Sequence, residues 1–228
     1  MGAAKERTVV AAAKLFAKGG FRTATMREVA DTLGVSRSSL YYHFPEKSDL
    51  LNEILTYVID KFCERAKEII EYPLSAAQRL TVLIQAIVRL QIETPGVSLT
   101  LIVRTEGDTL SAARMQAYIA RRDEYEGYFR RLIDEGTAAG EFRPVNTKIT
   151  AFALLGILEE FEAWFDPAGP LNADQVAEVF ADLILSSLAV GMPPGPHQMR
   201  SLKRPRSTSP ALTPTLEVIV TPRCTERR

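Results

Sequence analysis

The sequence predicts an all-α protein of about nine helices, because apolar residues recur at helical spacing along most of the chain, as in Val9, Ala12, Ala13 and Phe16. Alternating, strand-like runs are almost absent before residue 215. Glycine and proline residues divide this pattern into segments, since both residue types start or stop helices. The helices are predicted near 4–18, 26–33, 37–43, 47–71, 75–93, 97–105, 108–138, 147–165 and 173–190.

The second and third predicted helices form a pair joined by a tight turn. Thr25 followed three residues later by Glu28 is a capping box, so a helix begins at the next residue after Thr25. Gly34 can adopt the left-handed conformation that ends this helix, and Ser36 can cap the one that follows. We expect Val35 to fill the angle between them. A helix, a glycine-containing turn and a capped short helix are typical of a helix-turn-helix.

The second helix of the pair carries polar and aromatic side chains opposite its buried side, which holds Leu40 and Phe44. Guanidinium, hydroxyl, phenol and imidazole groups suit the base edges and phosphate oxygens of DNA. An ordinary helical hairpin, with its Tyr-Tyr pair packed against the first helix, is the alternative. The predicted DNA-facing residues on this helix are Arg37, Ser38, Ser39, Tyr41, Tyr42 and His43.

Two further residues beside this helix suit a phosphate. Thr25 stands at a helix N-terminus and offers amide and hydroxyl donors, and Lys47 offers a point charge. Arg37 at the start of the second helix could make a bidentate contact to guanine.

Charge is distributed unevenly along the chain, although Lys+Arg and Asp+Glu both number 28. Residues 1–50 hold eight Lys/Arg against five Asp/Glu, residues 51–190 hold 13 against 21, and residues 191–228 hold seven against two. A basic head on an acidic body would turn its positive face toward phosphates.

The composition changes abruptly at residue 191, after which seven prolines fall in the last 38 residues. Such a segment buries too little apolar surface to offset its ordering entropy, so we expect disorder. This tail either adds nonspecific attraction to DNA or is merely solvated. We therefore predict a helix-turn-helix DNA-binding domain over 1–46, a helical ligand-binding and dimerisation domain over 47–190, and a disordered, proline-rich basic tail over 191–228.

Residues 8–55 resemble the DNA-binding region of the tetracycline-repressor (TetR) family in the patterns AAxxLFxxxGFxxT, VAxxLGVS and LYYHF, and in a Lys followed by Leu-Leu. The resemblance implies a three-helix head, a connecting fourth helix and a variable helical body that binds a ligand. It also implies homodimerisation through residues 147–165 and 173–190. By position, it implies base contacts from Arg37, Ser38, Ser39 and Tyr41, and phosphate contacts from Thr25, Tyr42, His43 and Lys47.

Residues 104–190 resemble, more weakly, the bodies of family members that sense acyl-CoA thioesters, chiefly over 121–142 and 162–188. That resemblance implies a small apolar ligand, an acyl-CoA, that releases DNA. The helix near 147–165 is acidic around Phe161, so cationic partners for CoA phosphates must come from elsewhere, for which the candidates are Arg104, Arg121 and Arg122.

Apolar helix faces in the body either line a ligand cavity or form plain core. Glu159 or Glu160 either selects a cationic, drug-like ligand instead or belongs to a solvated acidic face. The candidate ligand-binding residues are Leu99, Ile102, Met115, Ile119, Phe129, Leu155, Leu158 and Phe161.

The last two predicted helices are rich in apolar residues, and two copies of each would make a four-helix dimer seam. Burial within one monomer is the alternative. On the final helix, the apolar residues at helical spacing are Val176, Val179, Phe180, Leu183 and Ile184, with Ala177, Ala181 and Ser187 allowing close approach.

No catalytic residue, metal site or cofactor is expected. The histidines, His43 and His197, cannot complete a nucleophilic set in the body, and Cys63 and Cys224 lack metal or disulfide spacing. Without a signal peptide or an apolar run of membrane-spanning length, a cytoplasmic location is expected. The expected function is a homodimeric DNA-binding repressor released by a small apolar ligand. A helical enzyme or lipid-binding protein is the remote alternative.

Overall fold

The computed structural model describes residues 3–93 and 107–191. Within these ranges every regular element is helical, apart from an isolated antiparallel bridge between Phe142 and Ala189, so the predicted all-α class is confirmed. The helices are α1 (Ala3–Gly19), α2 (Met26–Leu33), α3 (Arg37–His43), α4 (Lys47–Ile69), α5 (Ala76–Glu93), α6 (Ala112–Ala138), α7 (Thr147–Glu159), α8 (Phe161–Trp164) and α9 (Ala173–Leu188), with a 3-10 turn at Gly107–Thr109.

Three predictions fall outside the described residues. They are the helix near 97–105 with its candidate ligand residues Leu99 and Ile102, the candidate cation Arg104, and the tail beyond residue 191. In the described part of the chain, no helix is long and apolar enough to cross a bilayer.

Helices α1, α2 and α3 form a small bundle with the start of α4. Their buried side chains meet in one apolar cluster, to which α1 contributes Phe16, α2 contributes Val29 and α3 contributes Leu40. The Phe16 ring also packs edge to face against Phe21, with 5.1 Å between centroids. The head therefore has the three helices that the resemblance implies.

Helix α4 connects this head to the rest of the chain. Its 23 residues span about 34 Å at 1.5 Å per residue. Over its first half it packs on α1, where the Tyr57 hydroxyl donates to Glu6 at 2.7 Å. Further along it packs on α6, where the Arg121 guanidinium lies 2.6 Å from the Asp60 carboxylate. A displacement of α6 would therefore act directly on the helix that carries the head.

The body is built from α5, α6, α7 and α9, with α5 in the middle. Helix α5 packs against α4, α6 and α9, and its buried side is a continuous apolar stripe. Ion pairs tie it to two neighbours: Arg79 to Glu135 of α6 at 2.7 Å, and Arg89 to Asp174 of α9 at 2.8 Å.

The turn after α6 also holds the start of α5. The Glu141 carboxylate accepts the amides of Ala76 and Ala77 at 3.2 and 2.9 Å, so it caps α5 from a distant part of the sequence. Next to it, the Phe142 ring lies against Gly136 so closely that a Cβ there would be 2.3 Å from two ring carbons. Only glycine fits this position of α6.

Two predicted helix boundaries are wrong. The segment near 108–138 begins its α-helix only at residue 112, because Ser111 caps it by accepting the Arg114 amide. The segment near 147–165 is broken at Glu160, and the break turns Phe161 into the core, where its ring stacks on Phe165 with 4.6 Å between centroids. Aromatic packing thus overrides a helical pattern that the sequence continues through residue 165.

Candidate nucleic-acid interface

Helix α2 begins with the predicted capping box. The Thr25 amide and hydroxyl both donate to the Glu28 carboxylate, at 2.7 and 2.9 Å, and the Glu28 amide donates back to the Thr25 hydroxyl at 3.2 Å. These bonds, with a smaller contribution from the charge of Lys47, hold the pKa of Glu28 below its ordinary value. Both donors that the sequence assigned to a phosphate are therefore engaged within the capping box.

The turn between α2 and α3 has the predicted glycine conformation. Gly34 has a φ of 66°, in the left-handed region, and its amide donates to the carbonyls that end α2. The prediction that Val35 fills the angle between the helices is wrong, because its side chain is 41% exposed. Leu40 and Phe44, by contrast, are both buried in the core of the head.

Helix α3 is held at its start by Ser36, whose hydroxyl accepts the Ser39 amide at 3.1 Å. The same hydroxyl lies 3.0 Å from that of Ser38. With Leu40 and Phe44 buried, the opposite side of the helix faces outward. We call this exposed surface the recognition face; it consists of Arg37, Ser38, Ser39, Tyr41, Tyr42 and His43.

The two tyrosines of the recognition face do not pack as an ordinary hairpin would require. Tyr42 is 83% exposed and Tyr41 48% exposed. The Tyr42 ring instead meets that of its neighbour His43 edge to face, with 5.2 Å between centroids. Phenol, imidazole, hydroxyl and guanidinium donors therefore stand together on one solvent-facing surface.

Lys47 lies at the side of this surface and is held in place. Its ammonium is 4.3 Å from the centroid of the Phe21 ring and donates to the Arg22 carbonyl at 3.3 Å. The half-buried side chain thus fixes one positive charge close to the start of α2, where that charge also acts on Glu28.

Two exposed arginines beside the same surface were not predicted from the sequence. Arg27, in the first turn of α2, lies 3.6 Å from Asp31, and Arg22 lies 3.9 Å from Asp108. The sequence feature that could have identified Arg27 is its position two residues after the helix cap Thr25. A side chain there projects beside the positive end of the helix.

The candidate ligand residues of the body do not all come together. Phe129, Leu155, Leu158 and Phe161 are fully buried in the continuous core, and Met115 is half-buried. Ile119 is 47% exposed and lies on the outer side of α6. Of the described candidates, then, four face the interior and Ile119 does not.

Three of the described charged candidates of the body, Glu159, Arg121 and Arg122, form ion pairs within the protein. Glu159 lies 3.4 Å from Arg122, and Arg121 pairs with both Asp60 and Glu124. Glu160 is exposed. Neither arginine is therefore available to CoA phosphates without giving up an acidic neighbour.

Cys63 is a free, buried cysteine of α4. Burial raises the pKa of the Cys63 thiol to about 11, which keeps it protonated at neutral pH. No group of three or more His, Cys, Asp or Glu residues within 3–93 and 107–191 could hold a metal ion.

Helices α7 and α9 each divide their apolar residues between two sides. The monomer core takes Leu154, Leu155 and Leu158 of α7 and, on α9, Val176, Ala177, Phe180, Ala181, Ile184 and Leu188. Most of the apolar residues of α9 that were predicted to form a dimer seam are therefore buried within the monomer. Ala177 and Ala181 allow close approach between helices of the same monomer. The large apolar side chains left exposed on these helices and just after α9 are Ile149, Phe152, Val179, Leu183 and Val190.

Comparison with known families and proteins matches both parts of the chain. The family described as "Bacterial regulatory proteins, tetR family" matches residues 9–54, and "Tetracyclin repressor-like, C-terminal domain" matches residues 73–188. The HTH-type transcriptional repressor KstR2 of Mycolicibacterium smegmatis is 28% identical over 179 residues, which cover 78% of this chain and 86% of KstR2.

Solved structures show the same architecture. The TetR family transcriptional regulator PfmR from Thermus thermophilus aligns with a TM-score of 0.72 at 29% identity, over 79% of this chain and 97% of PfmR. AibR, solved in complex with isovaleryl coenzyme A and operator DNA, shares the fold with a TM-score of 0.68 at 24% identity, over 79% of this chain and 97% of AibR. With a helix-turn-helix head on a helical body and family matches over both, the chain belongs to the TetR family of DNA-binding transcription regulators.

Proposed function

We propose that this protein is a homodimeric repressor that binds a pseudo-palindromic operator and is released by a small apolar ligand bound in its body. The observation that carries the proposal is the recognition face, which Leu40 and Phe44 hold outward on a capped short helix. KstR2, which aligns with most of the chain, is named a transcriptional repressor.

On the DNA, Arg37 reads a base edge and Lys47 contacts a phosphate. A guanidinium at the start of the recognition helix can donate to two acceptors of guanine. Lys47, fixed over Phe21, supplies charge without choosing among bases. In the proposed arrangement, bases are read by Arg37, Ser38, Ser39 and Tyr41, and phosphates are contacted by Tyr42, His43 and Lys47. Thr25 contacts a phosphate by exchanging the Glu28 carboxylate, which accepts its amide and hydroxyl in the free protein, for a phosphate oxygen.

The partner in the dimer is a second copy of the chain. The exposed apolar residues of α7 and α9, among them Phe152 and Leu183, form a surface that is costly to leave in water. Gly156, on the exposed side of α7, has open space where a Cβ would stand, which permits close approach of another helix. A four-helix interface would bury both outer sides.

The ligand in this proposal is an apolar acyl chain carried as a CoA thioester. AibR is a relative in fold whose complex contains isovaleryl coenzyme A. The cationic-drug alternative depends on Glu159 or Glu160; it is weakened by the pairing of Glu159 with Arg122 and by the exposure of Glu160.

A gel-shift titration tests this function. The protein is mixed with the DNA upstream of its own gene, and the complex is then titrated with free fatty acids, their CoA thioesters and cationic drugs. We expect a salt-sensitive, sequence-specific shift that acyl-CoA abolishes. Release by cationic drugs alone would overturn the acyl-CoA assignment, and a protein that bound no DNA would leave only the lipid-binding or enzyme alternatives.

A further inference from the structure

Two polar side chains are buried in the body with an oxygen that has no hydrogen-bond partner. Gln91 of α5 and Glu126 of α6 are each 6% exposed. Within the described residues, neither Gln91 Oε1 nor Glu126 Oε1 accepts a hydrogen bond. Unsatisfied buried acceptors destabilise a fold, so their presence calls for an explanation.

A contact at each end of α7 shows how α6 and α7 are aligned. The Thr147 hydroxyl, at the start of α7, donates to Asp134 near the end of α6. At the opposite end, Glu159 of α7 lies 3.4 Å from Arg122 of α6. The two helices therefore run antiparallel, with the end of α7 level with residue 122.

The same alignment brings the two buried oxygens close in height. Gln91 Nε2 donates to the Leu158 carbonyl at 2.9 Å, which places Gln91 beside the end of α7 and so level with Arg122. Glu126 lies four residues, or about one helical turn, further along α6, about 6 Å away along the axis. Both unsatisfied acceptors thus lie at nearly the same height in the body, on two helices, α5 and α6, that pack against each other.

The two unpaired oxygens can only accept hydrogen bonds. A carboxylate carries no donor, and the Gln91 Nε2 group uses one of its two N–H donors on the Leu158 carbonyl. Arg130 forms an ion pair with Glu126, but its Nη1 lies 3.7 Å from Oε1, beyond hydrogen-bonding distance. A ligand group that meets these oxygens must therefore bring donors, and a carboxylate or phosphate placed here would be repelled.

We propose that Gln91 and Glu126 form the polar end of the ligand site and select apolar molecules that carry hydrogen-bond donors, such as hydroxyl or amide N–H groups, about one helical turn apart. This inference rests on the proposed function, a repressor released by a ligand, and adds to it which ligands the body selects. The acyl part of the ligand lies against apolar core, and its donors, which in a CoA thioester are the amides and hydroxyl of the pantetheine arm, meet the two oxygens. Binding of free fatty acids is disfavoured, because the two oxygens repel a carboxylate.

The test is calorimetric titration of the full-length protein, without DNA, with probes of equal chain length: decan-1-ol, decylamine, decanoic acid and decanoyl-CoA. The variants are Gln91→Met, Glu126→Met and Glu126→Gln. The matched control is Glu159→Gln, which alters a carboxylate at the same end that already has Arg122 as a partner.

We expect the wild type to bind decan-1-ol at least about tenfold more tightly than decanoic acid, the size of effect expected of one buried hydrogen bond. Glu126→Met and Gln91→Met should bring that ratio close to one, and Glu159→Gln should leave it unchanged. Glu126→Gln should retain decan-1-ol but lose affinity for cationic decylamine. Removing an unsatisfied carboxylate should also raise the melting temperature of the ligand-free Glu126→Met protein.

Two results would overturn the inference: a ratio that the Gln91 and Glu126 variants leave unchanged, or a lower melting temperature in Glu126→Met, which would mean that the carboxylate is satisfied within the protein itself. Absence of binding by every probe would overturn it as well. Operator binding is measured separately by gel shift. If the protein binds DNA and is released by ligand but fails the calorimetric tests, the proposed ligand selection by Gln91 and Glu126 is wrong and the proposed function stands.

Discussion

The guanidinium of Arg114, in the first turn of α6, donates to the carboxylate of Asp49, in the first turn of α4. Asp49 also accepts the Glu46 amide at 2.8 Å and so caps the helix that follows the recognition helix. The bond to Arg114, together with that to Glu46, holds the pKa of Asp49 below its ordinary value. A body helix is thereby tied to the point where the head meets α4.

Loss of this tie should reduce the coupling between ligand and operator. We expect Arg114→Met to lower stability by about 1 kcal/mol or less, because the pair is partly exposed. The drop in operator affinity caused by saturating decanoyl-CoA, a coupling of about 1–3 kcal/mol in systems of this type, should shrink. Operator affinity with and without the ligand is the measurement. Arg65→Met, which breaks an ion pair within α4, is the control and should leave the coupling intact.

Arg37→Ala and Lys47→Ala should weaken DNA binding in different ways. Loss of a base contact should cost about 1–3 kcal/mol and relax the preference at one operator position. Loss of a phosphate contact should weaken all sequences alike and lower the slope of log affinity against log salt by about one. Titrations at several salt concentrations with operator variants separate the two. An unchanged salt slope for Lys47→Ala, accompanied by altered base preference, would reverse the assignment.

A charge at the outer side of α9 should dissociate the proposed dimer. Leu183 is 56% exposed in the monomer, so Leu183→Asp should leave the fold intact while placing an unpaired charge in the interface. Sedimentation is expected to show a dimer for the wild type and a monomer for the variant. Ile119→Asp, at an exposed apolar residue of α6, should remain dimeric. A monomeric wild type at micromolar concentration would refute the dimer outright.

Two glycines of α6 should respond in opposite directions to alanine. At Gly136 the new Cβ would collide with the Phe142 ring, so we expect a loss of about 1–3 kcal/mol in the free energy of unfolding. At Gly127 nothing lies within 4 Å of that position, and alanine should stabilise the helix by about 0.5–1 kcal/mol. Urea unfolding followed by circular dichroism measures both. Equal destabilisation by the two substitutions would show that the requirement for glycine comes from the helix itself and not from the contact with Phe142.

The Glu141 cap should make stability depend on acid. Its bonds to the amides of Ala77 and Ala76 lower the pKa of Glu141 in the folded protein. A lowered pKa contributes stability that is present above the ordinary value of about 4.3 and is lost as the pH falls through the folded value. Between about pH 5 and 3, Glu141→Gln should therefore lose less stability than the wild type. Glu64→Gln, at an exposed position of α4, should follow the wild-type curve.

Features governed by neighbouring residues were predictable from the sequence, because capping and turns depend on contacts three or four residues apart. Thr25, Glu28 and Gly34 lie where their spacing indicated, and so does the capped helix after Ser36. Helical periodicity identified the apolar side of α3 for the same reason. The family resemblance, based on these local motifs, was confirmed by the matches over 9–54 and 73–188.

The tertiary structure decided what depends on partners distant in sequence. Periodicity shows that a side of α9 is apolar, but only packing against α5 distinguishes buried Phe180 from exposed Leu183. The helix break before Phe161 accompanies an edge-to-face contact of its ring with Phe180 of α9, which lies 19 residues further along the chain and which no local pattern encodes. The Arg114 bond to Asp49 spans 65 residues, because a pairing of charges on separate helices depends on how those helices align.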